Sequence, residues 1–327
     1  MATSTASIQR KGPLPAVELV RRMLEACRLQ AVCLQEGAFG GDFGSCRQAG
    51  ATFCSVAVDF ALHGRFLPPP GHFISCYVHR APPGSWCAGM PLLADTLLIA
   101  LPDSACDLML GAQAQLSAVL APLHGDIRRA MERFAGANGV PTRQLALLPP
   151  EAHAATSWQR LYDMLRGCLI GENAYGLARL LEDMTSTLLA SEYGLCALLA
   201  EAAAMPAYSR TQDVHYPALR NAVQFMREHL GRDLYMDEVA AAAQVSDRTL
   251  RVAFDALLGV SPTHYLGLLR LHEASRRLSG SGGQRQSIKA VAMDCGIWNL
   301  SRFAASYYRA FGERPSDTRW RASRSGF

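Results

Sequence analysis

Apolar residues recur at every third or fourth position between Ala218 and Arg321, a spacing that predicts a run of amphipathic helices. The pattern occurs twice at a constant offset of 53 residues, which pairs Leu250 with Phe303, Phe254 with Tyr307, Gly259 with Gly312 and Pro262 with Pro315. A short alanine-rich helix precedes each copy, at Val239 and Val291, and there the offset is 52. The sequence therefore predicts two matched helix–turn–helix units, the second with one extra residue in its turn.

The first unit is predicted over about residues 236–257. Met236 stands where a small residue usually caps the first helix, which weakens that cap. Ser246 is the predicted N-cap of the second helix, and Asp247 lies in its first turn, where the helix dipole favours a negative charge. The core face of this helix is predicted to hold Leu250, Phe254 and Leu257. The opposite, exposed face is predicted to hold Arg248, Arg251, Val252 and Asp255.

The second unit is predicted over about residues 287–311, with Ser287 and Asn299 as N-caps of its two helices. A long helix that begins at Pro262 is expected to bridge the two units. The core face of the last helix of the second unit is predicted to hold Phe303, Tyr307, Ala310 and Phe311. Its exposed face is poor in long hydrogen-bond donors and is predicted to hold Leu300, Ser301, Ala304 and Ala305, with Arg302 and Arg309 to the side.

The N-terminal part follows another pattern. Residues 1–13 are predicted to form a loose arm, residues 15–30 a helix with a basic face, and residues 37–50 a glycine-rich loop with short extended pieces. From Ala51 to Ala121, short apolar segments are separated by Pro and Gly turns, which predicts a small β-sandwich or barrel. Because such a barrel can hold a small ligand in its mouth, this stretch is a candidate ligand pocket.

Residues 124–204 are predicted to be helical, and one long segment carries an apolar face made of Leu177, Leu180, Leu181, Met184, Leu188 and Leu189. Two interpretations of that face stay open, namely packing on the barrel within the chain and pairing with a second copy. Residues 206–217 are predicted to be a linker. The predicted fold class is α+β. A cupin-like or barrel domain with linker helices occupies residues 1–205, with its β-rich part at about 40–121, and an all-helical domain occupies residues 218–321.

Charge separates these two parts. Residues 217–327 hold 16 Lys and Arg against 10 Asp and Glu, a net charge of +6, whereas residues 1–216 hold 16 against 18, a net charge of −2. A cationic domain joined to a slightly acidic one is typical of a protein that binds polyanions. Arginine can donate two hydrogen bonds to guanine, and a valine can contact a thymine methyl group, so the exposed face of the first unit suits the major groove of DNA.

We therefore expect the first unit to carry most base readout and the second to supply mainly phosphate and apolar contacts. The alternative is that Arg248 and Arg251 belong to an ordinary solvated face. The candidate DNA contacts are Ser246, Asp247, Arg248, Arg251, Val252 and Asp255 in the first unit and Lys289, Asn299, Leu300, Ser301, Arg302, Ala304, Ala305 and Arg309 in the second.

The string GIWNLSRFAASYYRAFGERPSDTR, which begins at Gly296, resembles the C-terminal signature of the AraC/XylS family of bacterial transcription regulators, as do the two units and the bridging helix. The N-terminal part resembles the family's effector-sensing β-rich domains more weakly. The resemblance implies a regulator, usually an activator, that binds double-stranded promoter DNA, acts with RNA polymerase, forms a homodimer and often responds to a small-molecule effector. Trp298, in the turn before Asn299, and Met236 depart from the family's pattern.

Other classes of protein find less support. The ten cysteines include no Cys-x-x-Cys pair and are predicted to be buried apolar residues in a reducing cytoplasm. The N-terminus lacks the apolar core of a signal peptide, and no stretch reaches the roughly 18 apolar residues of a membrane helix. Motifs of hydrolases, phosphate-binding loops and zinc proteases are missing, so we expect neither an enzyme nor a bound cofactor or metal.

Three alternatives stay open for the N-terminal part. One is a metal sensor that uses His63, His72 and His79. Another is a metal or redox sensor that uses Cys27, Cys33, Cys46 and Cys54. The third is an enzyme domain fused to the DNA-binding domain.

Overall fold

A computed structural model gives the fold of residues 9–37, 39–102, 105–123, 145–148, 153–171, 176–189, 215–280 and 286–324. The strands are β1 (Gln9–Pro15), β2 (Leu29–Cys33), β3 (Gly40–Gln48), β4 (Ala51–Val58), β5 (Leu62–Phe66), β6 (His72–Arg80), β7 (Trp86–Cys87), β8 (Met90–Pro91), β9 (Thr96–Ala100), β10 (Cys106–Leu110), β11 (Gln115–Pro122) and β12 (Leu145–Leu148). The helices are α1 (Ala16–Cys27), α2 (His153–Leu169), α3 (Leu177–Leu189), α4 (His215–Glu228), α5 (Met236–Ala242), α6 (Asp247–Leu258), α7 (Pro262–Ser279), α8 (Ile288–Asp294), α9 (Leu300–Phe311) and α10 (Pro315–Arg324). The predicted combination of a β-rich N-terminal part and a helical C-terminal part is confirmed.

Two antiparallel sheets face each other in the N-terminal part. One has the strand order β1-β3-β4-β11-β6-β9-β12, and the other has the order β2-β5-β10-β7-β8. Other layers of the protein cover their outer faces, so strands β9 and β10 are buried at every residue. A strand that is buried on both faces has no polar side, which explains why residues 51–121 alternate only loosely between apolar and polar positions.

The sheets extend beyond the predicted β-rich stretch. β1 begins inside the predicted loose arm, and β12 lies in the region predicted to be helical, whereas β3 lies within the predicted β-rich part at about 40–121. The first two predictions are wrong because backbone pairing, rather than a side-chain pattern, builds the strands. Glycine suits β3 because another segment of the chain approaches the backbone of this strand closely. A Cβ built on Gly44 would lie 2.2 Å from the carbonyl oxygen of Leu169.

The space between the sheets is filled with apolar side chains. Residues from both sheets and from α1 form one buried core that includes Phe43, Val56, Ile74, Leu98 and Leu108. Full burial of such a side chain stabilises the fold by about 1.5–3 kcal/mol. A core packed in this way counts against the ligand pocket predicted inside residues 51–121.

Helices α2 and α3 cover the outer face of the seven-stranded sheet. The Tyr162 hydroxyl on α2 donates to the carbonyl oxygen of Ser75 at 3.0 Å, and α3 buries Leu180, Leu181 and Met184 in the same core. These three side chains therefore pack within the chain, as expected if this face packs on the barrel and does not pair with a second copy. The side chains of Leu177, Leu188 and Leu189 lie outside the described residues. Residues 124–134, which belong to the region predicted to be helical, also lie outside them, as do the stretch predicted to be helical after residue 189 and most of the predicted linker.

The helical C-terminal part covers the outer face of the five-stranded sheet. Val32, Leu34, Trp86 and Met109 of the N-terminal part share one buried core with α4, α5, α6 and α7. The indole N–H of Trp86 donates to the carbonyl oxygen of Leu257 at 2.9 Å. The two parts of the chain are therefore joined by a common apolar core.

Two buried histidines lie in this junction. The Cys33 backbone N–H donates to Nε2 of His272 at 2.9 Å, and Nδ1 of His63 shares a hydrogen bond of 2.7 Å with the Tyr265 hydroxyl. Burial lowers the pKa of both imidazoles to about 3, and the positive charge of Arg227 adds to the effect. Both histidines are thus neutral in the folded protein near pH 7.

The candidate metal ligands do not come together in one site. His63 lies in the junction, His72 is half-buried at the start of β6, and His79 binds Asp163 and Ser117 through its two ring nitrogens at 3.1 and 2.8 Å. Cys46 belongs to a different core from Cys27 and Cys54. Across the described ranges, no three His, Cys, Asp or Glu side chains are arranged to hold a metal ion.

The nine cysteines of the described ranges are all buried, and none of them forms a disulfide bond. Eight of them lie in the N-terminal layers, and Cys295 lies in the helical part. Burial raises the pKa of the Cys33 and Cys295 thiols to about 11, so both are protonated at neutral pH.

No individual helix of the described chain has both the length and the apolarity needed to cross a membrane, although α6 and α7, bent by 60° at their junction, meet these two criteria as a pair.

Candidate nucleic-acid interface

The first helix pair consists of α5 and α6. Tyr235, rather than Met236, occupies the N-cap position of α5, and its side chain makes no capping hydrogen bond. The Glu238 carboxylate instead accepts the Tyr235 backbone N–H at 3.1 Å. Met236 is therefore the first helical residue, and the expectation that it replaces the cap is wrong.

Local signals define both ends of α6. The Ser246 hydroxyl oxygen accepts the Thr249 backbone N–H at 3.1 Å, which satisfies one free donor of the first turn. Gly259 ends the helix with φ of +67°, a conformation that costs glycine little. Leu250 and Phe254 are buried as predicted, whereas Leu257 is half-buried and Leu258 takes the core position beside it.

The predicted outer face of α6 lies on the surface. Arg248, Arg251, Val252 and Asp255 are all exposed. Arg251 has 70% of its side chain exposed and forms an ion pair of 2.8 Å with Asp247, one helical turn earlier. An exposed pair of this kind contributes at most about 1 kcal/mol, so a stronger acceptor can displace it.

Helix α7 joins the two helix pairs. The Ser261 hydroxyl oxygen caps it by accepting the His264 backbone N–H at 3.2 Å. Its N-terminal half contributes Tyr265 and Leu269 to the core of α4 and α6. Its C-terminal half contributes Leu271 and Leu278 to the core of α8 and α9. The position of each pair is therefore fixed against the same helix.

The second helix pair consists of α8 and α9, and both predicted caps are present. The Ser287 hydroxyl oxygen accepts the Ala290 N–H, and Asn299 Oδ1 accepts the Arg302 N–H, each at 3.0 Å. The core face of α9 is confirmed, since its buried residues are Phe303, Tyr307, Ala310 and Phe311. This pair repeats the construction of the first.

The outer face of α9 borders a groove of about 640 Å³ between α8, α9 and the start of α10. Ser301, Arg302, Ala304 and Ala305 are exposed, and Leu300 is half-buried. Tyr308 and Arg314, which are not among the predicted DNA contacts, also line the groove. The repeat offers a signal for the first of them, because Tyr308 follows Asp255 by the same 53 residues.

Lys289 lines this groove, whereas Arg309 is not part of its lining. Lys289 is exposed in the first turn of α8. Arg309 is exposed too, and its Nε lies 3.4 Å from the Glu36 carboxylate of the N-terminal part. One predicted phosphate contact is therefore already paired with a carboxylate of the same chain.

Trp298 connects the two helix pairs. Its indole N–H donates to the Asp233 carboxylate at 2.7 Å, and Arg270 donates to the Arg232 carbonyl oxygen at 2.7 Å. The loop between α4 and α5 is thus held against the turn between α8 and α9. This contact explains the bulky residue in the second turn.

Comparison with known proteins finds relatives that resemble part of this chain. A family described as a helix-turn-helix domain matches residues 239–321. An XylDLEGF operon transcriptional activator from Pseudomonas putida is 35% identical over 102 residues, which are 31% of this chain and 32% of the relative. The regulatory protein HrpB from Ralstonia nicotianae is 34% identical over 124 residues, which are 36% of this chain and 26% of the relative. The chain thus spans about a third of the curated relatives it matches.

Solved structures match the same region. A probable AraC family transcriptional regulator from Rhodopseudomonas palustris is 32% identical and covers 32% of this chain and 96% of its own, with a TM-score of 0.30. The DNA-binding domain of AdpA, solved in complex with a target DNA, is 29% identical and covers 34% of this chain and 98% of its own, with a TM-score of 0.31.

The relatives of known role are transcription regulators, which are not enzymes. The duplicated signature, the capped helix pairs and the matched helix-turn-helix region agree with one another. The C-terminal part of the chain is therefore a helix-turn-helix domain similar to those of transcription regulators of the AraC/XylS family.

Proposed function

We propose that this protein is a sequence-specific transcription regulator that binds double-stranded promoter DNA through α6 and α9 as the recognition helices of two helix–turn–helix units. The observation that carries the proposal is the repeated construction, in which two capped helices of equal length, packed on α7, each keep one face exposed. At about 1.5 Å per residue, the 18-residue α7 is long enough to set the two units about one turn of DNA apart.

The two units have different roles in this proposal. Helix α6 reads bases, because Arg248 and Arg251 can donate to guanine edges and Val252 can contact a thymine methyl group. The free N–H groups at the starts of both helices, near Ser246 and Asn299, suit phosphate oxygens. The remaining candidate contacts position the protein on the duplex and include Lys289, Ser301, Arg302, Ala304, Ala305 and Arg309.

The proposal extends to the whole chain. The N-terminal sheets form a cupin-like sensing domain, the protein acts in the cytoplasm as a homodimer, and it activates transcription together with RNA polymerase. Support for activation comes from the names of relatives, which include the XylDLEGF operon transcriptional activator of Pseudomonas putida. Footprinting of the full-length protein on its own chromosome would identify the promoters and test these assignments together.

Replacement of Arg251 by alanine should weaken binding of the full-length protein to its promoter site by about 1–3 kcal/mol, because a bidentate contact to a base is lost. The base preference at the contacted position should relax at the same time. Competition assays at fixed salt, with the specific site and with a scrambled duplex, measure both effects.

Arg302→Ala is the matched comparison, since it removes an exposed arginine that we assign to phosphate. It should weaken binding to the specific and the scrambled duplex about equally and reduce the salt dependence of binding. The base-contact role of Arg251 is wrong if Arg251→Ala shows this same uniform loss.

A further inference from the structure

The turns of the two helix pairs differ by one residue, and the structure identifies that residue as Trp298. In the first turn, the Val245 backbone N–H donates to the Ala240 carbonyl oxygen at 3.1 Å. In the second turn, 52 residues later, the Ile297 N–H donates to the Ala292 carbonyl oxygen at 2.9 Å. The residue before each of these donors has a left-handed backbone, with φ of +59° and +72°. From the N-caps of α6 and α9 onward the offset is 53, so Trp298 is the inserted residue.

The inserted side chain contacts the other helix pair. The Trp298 indole N–H donates to the Asp233 carboxylate at 2.7 Å. Asp233 lies in the loop that leads into α5, and Trp298 directly precedes Asn299, the N-cap of α9. Because Trp298 is 52% exposed, it is not a core residue of its own helix pair. The hydrogen bond therefore joins the entrance of the first pair to the start of α9.

The backbones of the same two segments are in close contact. A Cβ built on Gly296 would lie 2.5 Å from the Leu230 carbonyl oxygen, and one built on Gly231 would lie 2.8 Å from the Asp294 carbonyl oxygen. Arg270 of α7 donates to a carbonyl oxygen of the first segment at 2.7 Å. Neither segment has room for a side chain at its glycine, so the two segments cannot move closer together, and the indole hydrogen bond opposes their separation.

We infer that Trp298 is a positioning residue that fixes α9 relative to the first helix pair, and that its hydrogen bond to Asp233 restricts the protein to DNA sites with one spacing between the two contacted segments. The part of this inference that concerns DNA rests on the proposed function. One added base pair moves the two segments apart by about 3.4 Å and rotates them by about 35° about the DNA axis, because a turn of about 34–36 Å holds 10–10.5 base pairs. Helices held at a fixed separation cannot follow that change and keep all their contacts with DNA. Without the hydrogen bond, only packing on α7 opposes the shift.

Competition assays with the full-length protein measure the spacing preference. The duplexes are the promoter site that footprinting identifies and the same site with one base pair added or removed at its centre. The unchanged protein should bind each altered duplex at least about tenfold more weakly than the original. Trp298→Phe keeps an aromatic ring and loses the N–H, so this difference should fall to about threefold or less.

Matched variants assign the effect to the hydrogen bond. Asp233→Ala should reduce the spacing preference as much as Trp298→Phe does, and the double variant should resemble either single variant because both changes remove the same contact. Asp233→Asn keeps an oxygen that can accept the indole N–H, and it should retain the preference of the unchanged protein. Trp320→Phe makes the same change at another exposed tryptophan of the helical part and should leave the preference unchanged.

Hydrogen exchange of the full-length protein without DNA tests the contact itself. The backbone amides of residues 229–235 and 294–299 should exchange at least about fivefold faster in Trp298→Phe than in the unchanged protein, because local opening of these segments becomes easier. The amides of β11, in the N-terminal sheet, should exchange at the same rate in both proteins.

The inference is overturned by any of three results: Trp298→Phe and Asp233→Ala keep the spacing preference, the unchanged protein tolerates both altered duplexes, or exchange at the two segments is the same in Trp298→Phe. The proposed function fails in a different way, namely when the unchanged protein does not distinguish its promoter site from a scrambled duplex. That result removes the part of the inference that concerns DNA, and the exchange rates then support or overturn the positioning role alone.

Discussion

Trp86→Ala is expected to destabilise the protein by about 3–5 kcal/mol and to separate the unfolding of its two parts. Trp86 is 5% exposed and belongs to the core that the five-stranded sheet shares with the DNA-binding helices. The substitution removes the hydrogen bond to Leu257 and the ring contacts with His63 and Tyr216, whose ring centroids lie 5.7 and 5.6 Å away. Urea titration followed by circular dichroism should show one transition in the unchanged protein and two in the variant.

Trp320→Ala is the control for this experiment. Trp320 is 61% exposed on α10, and its ring contacts the Arg324 guanidinium at 4.7 Å. Loss of an exposed cation–π contact should cost about 0.5–1 kcal/mol. Equal effects of the two substitutions would mean that Trp86 does not join the two parts.

Mild acid should destabilise the junction between the N-terminal part and the helical C-terminal part. The folded-state pKa of both His63 and His272 is lowered to about 3, mainly by burial. Because the unfolded imidazole has a pKa of about 6.5, the unfolded state binds more protons below that pH. The stabilisation is fully present above about pH 6.5 and is lost as the pH falls towards 3. At pH 5 each histidine should lower the free energy of unfolding by about 2 kcal/mol relative to pH 7, and the two together should lower it by about 4 kcal/mol.

His272→Gln tests this assignment, since the amide oxygen of glutamine can still accept the Cys33 N–H but does not titrate. Between pH 7 and pH 5, the free energy of unfolding of the variant should decrease by about half as much as that of the unchanged protein. Urea unfolding at each pH measures this difference. His264→Gln, on the exposed side of the same helix, should keep all of it. An unchanged pH profile in His272→Gln would contradict the assignment.

The helical part was predictable because its signals are local. Ser246, Ser287 and Asn299 each cap a helix within three residues, and the glycines that end α6 and α9 need no distant partner. Periodicity then separates buried from exposed faces. The outer faces of α6 and α9 follow from the same spacing, although their contacts with DNA stay a prediction.

The N-terminal part was less predictable because long-range contacts decide it. β1 pairs with β3 across a helix and a strand, and both sheets are buried on two faces, which removes the alternation that marks a strand. The hydrogen bond between Cys33 and His272 joins residues 239 positions apart. No local pattern predicts such a junction.

The burial of the thiols has a practical consequence. Every cysteine of the described chain is covered, eight in the N-terminal layers and Cys295 in the core beneath α9. A thiol-specific alkylating reagent can therefore reach these groups only when the surrounding layer opens. Mass spectrometry of timed alkylation would then report the opening frequency of each layer separately, with Cys295 as the reporter of the DNA-binding part, without any engineered label.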